Sequence, residues 1–249
     1  MRKLTCSLLL LALIPAMPAT ADVGEAIKAA MEAPDRPEAD KARDRNRKPV
    51  ETLAFFGLKE DMRVLELLPG GGWYTRLLAP ALREKGKLYV AIGTQRIEGS
   101  LLKQPGFEDV AVAPMSGESR REEGARRFGI ADLSFDVEDI DLVLTFRNVH
   151  NFDPAGRKAM HEASLAVLKP GGHYGVVDHT RRHMDDDNSE TWRRMDPVQV
   201  IKEVQAAGFE FVDYSDLHFC PDDQLIYEVG RKSVTGNTDR FTLLFKKPE

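Results

Sequence analysis

Arg63-Val64-Leu65-Glu66-Leu67-Leu68-Pro69-Gly70-Gly71-Gly72-Trp73-Tyr74-Thr75-Arg76 is an apolar run that stops at three glycines and then restarts with helical spacing. Val64, Leu65, Leu67 and Leu68, interrupted by Glu66 alone, suit a strand buried on both faces, the habit of parallel sheets covered by helices. Pro69 and the glycines end that strand. From Thr75 the apolar residues Leu77, Leu78, Ala79, Ala81 and Leu82 continue at helical spacing, and Glu84-Lys85-Gly86 supplies a polar last turn closed by glycine. A strand, glycine turn and helix in this order leave backbone N–H groups without helical partners, and the missing Cβ atoms let a ligand approach the main chain. The turn is therefore a ligand platform. A dinucleotide fingerprint would want Gly-x-Gly-x-x-Gly and an acid about 20 residues later. Here Gly70 and Gly72 are followed by Thr75, and position 92 is Ile, so that class fits poorly.

Upstream, Arg2 and Lys3 precede an apolar core over 8–14, and Ala19-Thr20-Ala21 stands before Asp22, the pattern of a cleaved secretory signal peptide over 1–21. Its apolar part is far short of the ~20 residues needed to span a bilayer, so no stable membrane insertion is expected after cleavage. Export to a bacterial periplasm follows. The chain has 249 residues with 35 Lys and Arg against 40 Asp and Glu. The leader holds two of the bases and none of the acids, so the mature protein is more acidic still, which argues against nucleic acid as a general partner. After export Cys220 is the one remaining cysteine, so no internal disulfide forms and the core must hold the fold.

Between the leader and the first strand lie a short helical pattern over 23–31 and a stretch over 34–49 in which acids and bases alternate. Two readings of that stretch stand: a solvated helix face with i,i+4 pairs, or a lid over the ligand site. Pro49 then opens a helix through Val50, Leu53, Phe55 and Phe56 to Gly57. The organisation is a leader (1–21), a charged helical extension (22–48) and one α/β domain (49–249).

Downstream, strands are expected over 87–92, 109–112, 142–146, 173–177, 209–217 and 240–245, with an exposed charged helix over 118–127 and helices opened by Asp153-Pro154 and Asp196-Pro197. The strand over 142–146 ends in Arg147-Asn148-Val149-His150-Asn151-Phe152. Ligands in open α/β sheets sit outside the carboxyl ends of the strands, so these side chains should share a crevice with Gly70 to Gly72. His179-x-x-x-His183 with Asp185 to Asp187 lacks both the closed ligand set of zinc and the glycine-bearing loop of a calcium EF-hand, so no metal is expected.

Spaced motifs then add up. Glu66, Gly70 and Gly72 are followed by Asp141-Leu142-Val143 and by Leu168-Lys169-Pro170-Gly171-Gly172. With them stand Arg43-Asp44, Phe146 to Phe152, Thr238-Asp239-Arg240-Phe241 and Phe245-Lys246-Lys247-Pro248. On these the chain resembles the class I S-adenosylmethionine-dependent methyltransferases over about 49–247, and more narrowly a family of exported bacterial methyltransferases. The resemblance implies a Rossmann-like fold: a seven-stranded, mostly parallel sheet with helices on both faces and an antiparallel last strand. It implies S-adenosylmethionine as cofactor, with Glu66, Gly70, Gly71, Gly72 and Thr75 at the methionine end and Trp73 or Tyr74 facing the sulfonium through a cation–π contact. It also implies an adenine-side contact at Asp132. Two positions depart from the family pattern: Leu68 replaces the first glycine of the turn, and Ala91-Ile92-Gly93 carries no acid for the cofactor ribose, leaving Glu98 as the nearest substitute.

The implied reaction moves a methyl group from a sulfonium to a small-molecule acceptor and needs little acid–base machinery. His150 is the best-placed base, with a hydrogen-bonded structural histidine as its alternative; Arg147 and Asn148 would orient the acceptor with Asp178 beside them, or Arg147 pair with Asp178 as a structural ion pair. A non-catalytic periplasmic binder on the same scaffold is the second class, motivated by Leu68, the missing ribose acid and export. A nicotinamide-dependent oxidoreductase is disfavoured by Thr75 and Lys169-Pro170-Gly171-Gly172. Acceptor identity and oligomeric state have no readable code.

Overall fold

The computed structural model describes residues 23–249, and the leader lies outside the described residues. Four helices precede the sheet: α1 (Val23–Met31), α2 (Glu38–Lys41), α3 (Asp44–Arg47) and α4 (Pro49–Phe55). Then come β1 (Arg63–Leu67), α5 (Thr75–Leu82), β2 (Lys87–Ala91), α6 (Gln95–Glu98), β3 (Ala111–Val112), β4 (Met115–Arg120), β5 (Gly129–Phe135) and β6 (Ile140–Phe146). The chain closes with α7 (Pro154–Val167), β7 (Leu168–His179), α8 (Pro197–Ala206), β8 (Glu210–Ser215) and β9 (Arg240–Lys246). No described helix is long and apolar enough to cross a membrane.

Seven strands form one sheet in the order β3-β2-β1-β6-β7-β9-β8. The pairs β1–β2, β1–β6, β2–β3 and β6–β7 are parallel, whereas β9 runs antiparallel to both its neighbours. This is the sheet anticipated from the sequence. Alternation along the strands explains why the apolar runs are continuous. Val64, Leu142 and Leu144 enter a core with α1, α4 and α5, while Leu65, Leu67 and Val143 enter a second core with α7 and α8 on the opposite face. The chain reverses its order between β1 and β6, which opens a crevice at their carboxyl ends.

Two expectations are corrected. The charged segment over 118–127 is not a helix: β4 pairs antiparallel with β5 in a separate two-stranded sheet. Ile130, Leu133 and Phe135 put their side chains into the α7 core on either side of a bulge at Asp132, so packing against α7, not the surface charge of β4, decides this segment. The turn over 169–172 also does more than end a helix. Leu168 pairs with Ile140 and His173 with Leu142, so the four residues between bulge out of β7 while the strand continues.

Candidate functional site

Three strands end at the crevice in a residue held at positive φ although none is glycine: Leu68 after β1 (φ 51), Ile92 after β2 (φ 61) and Arg147 after β6 (φ 63). Such conformations cost roughly 1–3 kcal/mol each and persist where the surroundings over-determine them. Leu68 thus takes the left-handed backbone at the place where the family turn has its first glycine. Its N–H donates to the Ala91 carbonyl, and its own carbonyl accepts from the Asn148 amide at 3.2 Å. The next turn residues stand at φ +60 (Gly70) and φ +80 (Gly72); a Cβ at Gly72 would lie 2.3 Å from Leu101, and one at Gly70 would meet nothing within 4 Å. Gly72 is needed for packing. Gly70 is open to a ligand.

Around this turn is a first chamber of about 410 Å³, within the ~300–1,000 Å³ usual for small-molecule sites. Glu66, Gly70, Gly71 and Tyr74 lie on its β1–α5 side, Arg96 on α6, and Arg147 and Asn148 at the end of β6. The remaining wall is the segment before β1, through Pro37, Asp40, Arg43 and Arg47. Both readings of that segment have support: Glu38, Arg43 and Arg45 are exposed and Lys41 pairs with Glu38, while Asp40 and Arg47 face the chamber. Arg36 is fixed to Asp44 by two 2.6 Å bonds, and the Trp73 indole N–H donates to the Asp40 carbonyl at 3.0 Å. Arg47 is 5% exposed and stacks over Trp73 with its guanidinium carbon 4.2 Å from the ring centre.

Glu66 is 2% exposed and accepts a 2.6 Å hydrogen bond from the Thr75 hydroxyl. Burial pushes its carboxyl up to about 7 against the opposing pull of Thr75 and Arg47. Burial likewise lowers the Arg47 guanidinium to about 8 and that of Arg147 to about 10, each reinforced by other arginines nearby.

A second chamber of about 360 Å³ shares Arg43, Arg47 and Arg147 with the first and extends over the ends of β6, β7 and β9. Its other walls are His179, Arg193, Arg240, Thr238 and the turn residues Val229 and Gly230. His179 meets the Thr238 hydroxyl through Nδ1 at 2.9 Å, and burial, then Arg240, holds its pKa well below the ordinary histidine value. The imidazole stays neutral.

The crevice thus gathers Glu66, Gly70, Gly71, Trp73, Tyr74, Arg147 and Asn148. Gly72 and Thr75 shape the turn behind it. The aromatic faces are already engaged: Trp73 by Arg36 and Arg47, and Tyr74 by Phe146, stacked at 3.5 Å and 11°. His150 and Asp178 line neither chamber; the imidazole Nδ1 meets the Asp178 carboxylate at 2.7 Å, and the same carboxylate accepts the backbone N–H of His150 and of His179. That pairing also displaces the expected Arg147–Asp178 ion pair. Asp132 is exposed on β5, away from both chambers, because its segment forms the separate hairpin. Glu98 is exposed and accepts from the Thr94 hydroxyl, while Arg96, two residues earlier, faces the Gly71 turn instead. Arg96 and Arg193 were not singled out from the sequence; His179 was weighed there only in a metal pattern, and Arg47 only within the alternating-charge stretch. Arg43 and Arg240 stood within the stretches that carry the resemblance, their one signal.

A scan against protein-family models and a search of curated protein sequences find no match. Solved structures do match. A SAM-dependent methyltransferase from Aquifex aeolicus is 18% identical with a TM-score of 0.57, over 90% of this chain and 97% of that one. The [4+2]-cyclase SpnF is 18% identical with a TM-score of 0.54, over 84% and 81%. Human N-acetylserotonin methyltransferase, solved in complex with SAM, is 13% identical with a TM-score of 0.53, over 91% of this chain and 57% of that one. At these identities the fold is what is shared: the chain has the Rossmann-like fold of class I methyltransferases.

Proposed function

We propose that the protein is an S-adenosylmethionine-dependent methyltransferase acting on a small-molecule acceptor, with the cofactor in the first chamber and the acceptor in the second. The observation that carries this reading is a glycine turn and one buried carboxylate, Glu66, in a chamber that continues past Arg43, Arg47 and Arg147 into another. Two adjoining chambers suit a transfer between two bound molecules. Structural neighbours that are methyltransferases, one of them solved with the cofactor, support it. The cyclase among them shows why a binding and turnover test is needed, since fold alone does not fix chemistry.

The residues fit the amino-acid end of the cofactor. Space over Gly70 admits a ligand against the main chain, and Glu66, whose one side-chain partner is a hydroxyl, suits an ammonium group that would return it to the ionised form. The free N–H groups before α5 suit the methionine carboxylate. At the ribose end Arg96 stands in place of an acid, so a guanidinium donates to hydroxyl oxygens there where a carboxylate would accept from them. When bound, S-adenosylmethionine supplies a methyl group on a good leaving group. The chain itself aligns the acceptor and excludes water, a task for the arm over the crevice. We read residues 1–21 as an export signal; recovery from the periplasm with Asp22 as first residue checks that.

The test is the thermal midpoint of the purified protein with S-adenosylmethionine and S-adenosylhomocysteine. At 100 times its dissociation constant a ligand adds about 2.7 kcal/mol, a rise of roughly 5 to 10 °C in a domain of this size. Gly70→Val should abolish the rise by filling the open side of the turn. A folded sample unmoved by either ligand at millimolar concentration overturns the reading.

A further inference from the structure

Where this chain buries an arginine for structural reasons, it supplies a carboxylate. Arg194, fully buried, lies against Asp223 with bonds of 2.8 and 3.0 Å. Arg157 takes both oxygens of Glu203 at 2.7 Å, and Arg36 both oxygens of Asp44. The buried Arg47 and Arg240 and the half-buried Arg147 break that habit. Among the described residues none of the three forms an ion pair with a carboxylate. Arg47 donates no side-chain hydrogen bond and rests on the rings of Trp73 and Tyr74. Arg147 donates none either. Arg240 gives one donor to the Asn46 carbonyl at 2.7 Å, while its buried Nε has no partner.

All three line the second chamber; Arg43 and Arg193 join them, each already paired outside the lining with Asp40 or Glu228, and no lining residue carries a carboxylate. Positive charges gathered at low dielectric without counter-charge are costly unless an anion completes them. These guanidinium groups keep their charge at neutral pH even with lowered pKa values, so the cost is relieved by binding an oxyanion. A planar guanidinium with two parallel N–H donors matches a carboxylate or phosphate edge. The neutral His179 adds a hydrogen-bonding group and no charge.

We infer that the second chamber is an oxyanion site, in which Arg47, Arg147 and Arg240 hold the phosphate or carboxylate group of the molecule to be methylated. The word acceptor rests on the methyltransferase reading, whereas the anion site itself does not. Acceptors without a negative group should be poor substrates, because they leave these guanidinium groups uncompensated.

The experiment measures the thermal midpoint of the purified protein at constant ionic strength in chloride, phosphate and acetate, with and without S-adenosylhomocysteine. An oxyanion at ten times its dissociation constant should raise the midpoint by roughly 3 to 6 °C over chloride, adding to the shift of S-adenosylhomocysteine. Phosphate alone acting assigns a phosphate-bearing acceptor, and acetate alone a carboxylate. Arg147→Gln, which removes no hydrogen bond or ion pair among the described residues, should weaken the anion at least about tenfold. Arg231→Gln, outside the chamber and paired with Glu190, should leave it unchanged. Equal midpoints in all three salts overturn the inference, as does an anion shift that survives Arg147→Gln. An anion shift abolished by S-adenosylhomocysteine also overturns it, by giving these arginines to the cofactor. In each case the response to S-adenosylhomocysteine alone still reports whether the methyltransferase reading holds.

Discussion

The two chambers share three arginines and differ in what stands opposite them. In the first, Asp40 and the buried Glu66 sit among the guanidinium groups, and a glycine turn offers backbone donors over open space. Such a mixed wall suits a ligand carrying both signs of charge. In the second, the wall has arginines, a neutral histidine and small polar residues but no acid. That wall suits a ligand with negative charge alone. The difference arises from what encloses each space. The first is built from the strand ends and the N-terminal arm, and the second adds the long connection between β8 and β9, which is anchored on Arg194 through Asp223.

The largest expected effect tests that anchor. Asp223→Ala leaves the fully buried Arg194 without its carboxylate and removes the acceptor for the Asp239 N–H, so it should cost about 3–5 kcal/mol in urea unfolding. A loss below about 1 kcal/mol would mean that the connection does not depend on this pair. The next effect distinguishes the first chamber by its carboxylate. Between pH 4.5, the ordinary value, and about 7, folded Glu66 keeps a proton that the unfolded chain releases. Stability should therefore decline as pH rises through that window and level off above it, by on the order of 3 kcal/mol. Glu66→Gln should flatten the profile, and S-adenosylmethionine affinity should rise with pH in the wild type but not in the variant. A wild-type profile as flat as the variant's would leave Glu66 ionised throughout. The smallest effect asks whether Arg96 limits the first chamber. Arg96→Asp places an acid on α6 beside the Gly71 turn and should tighten S-adenosylmethionine about tenfold by titration, near 1.4 kcal/mol. Unchanged or weaker binding would show that Arg96 itself serves the ligand.

Much of the first chamber was legible because its parts are local. Glu66, the glycines and Thr75 lie within ten residues, and the spacing alone puts them at one strand end. Asp132 and the helix over 118–127 failed together. Charge density says that a segment is exposed, not whether it is helix or strand, and the bulge at Asp132 breaks the two-residue period between Ile130 and Leu133 that would have marked the strand. His150 was read as a base from its place after a strand, yet Asp178 takes its Nδ1 and its backbone N–H, a pairing across 28 positions. Leu68 and Ile92 were read as departures, but a backbone can keep the left-handed conformation with a side chain present when neighbouring strand ends hold it.

The sequence by itself determined the alternation of strands and helices, the glycine turn and the placing of a ligand crevice at the carboxyl ends of β1 and β6. These follow from periodicity, turn chemistry and the rules that connect parallel strands, all readable within short windows. Only the tertiary structure decided that the charged arm closes the crevice, that Arg96 faces the turn in place of an acid, and that Arg47, Arg147 and Arg240 converge without a counter-charge. Those arginines come from positions 47, 147 and 240, and whether such groups are paired or left for a ligand depends on which carboxylates the folded chain brings within reach.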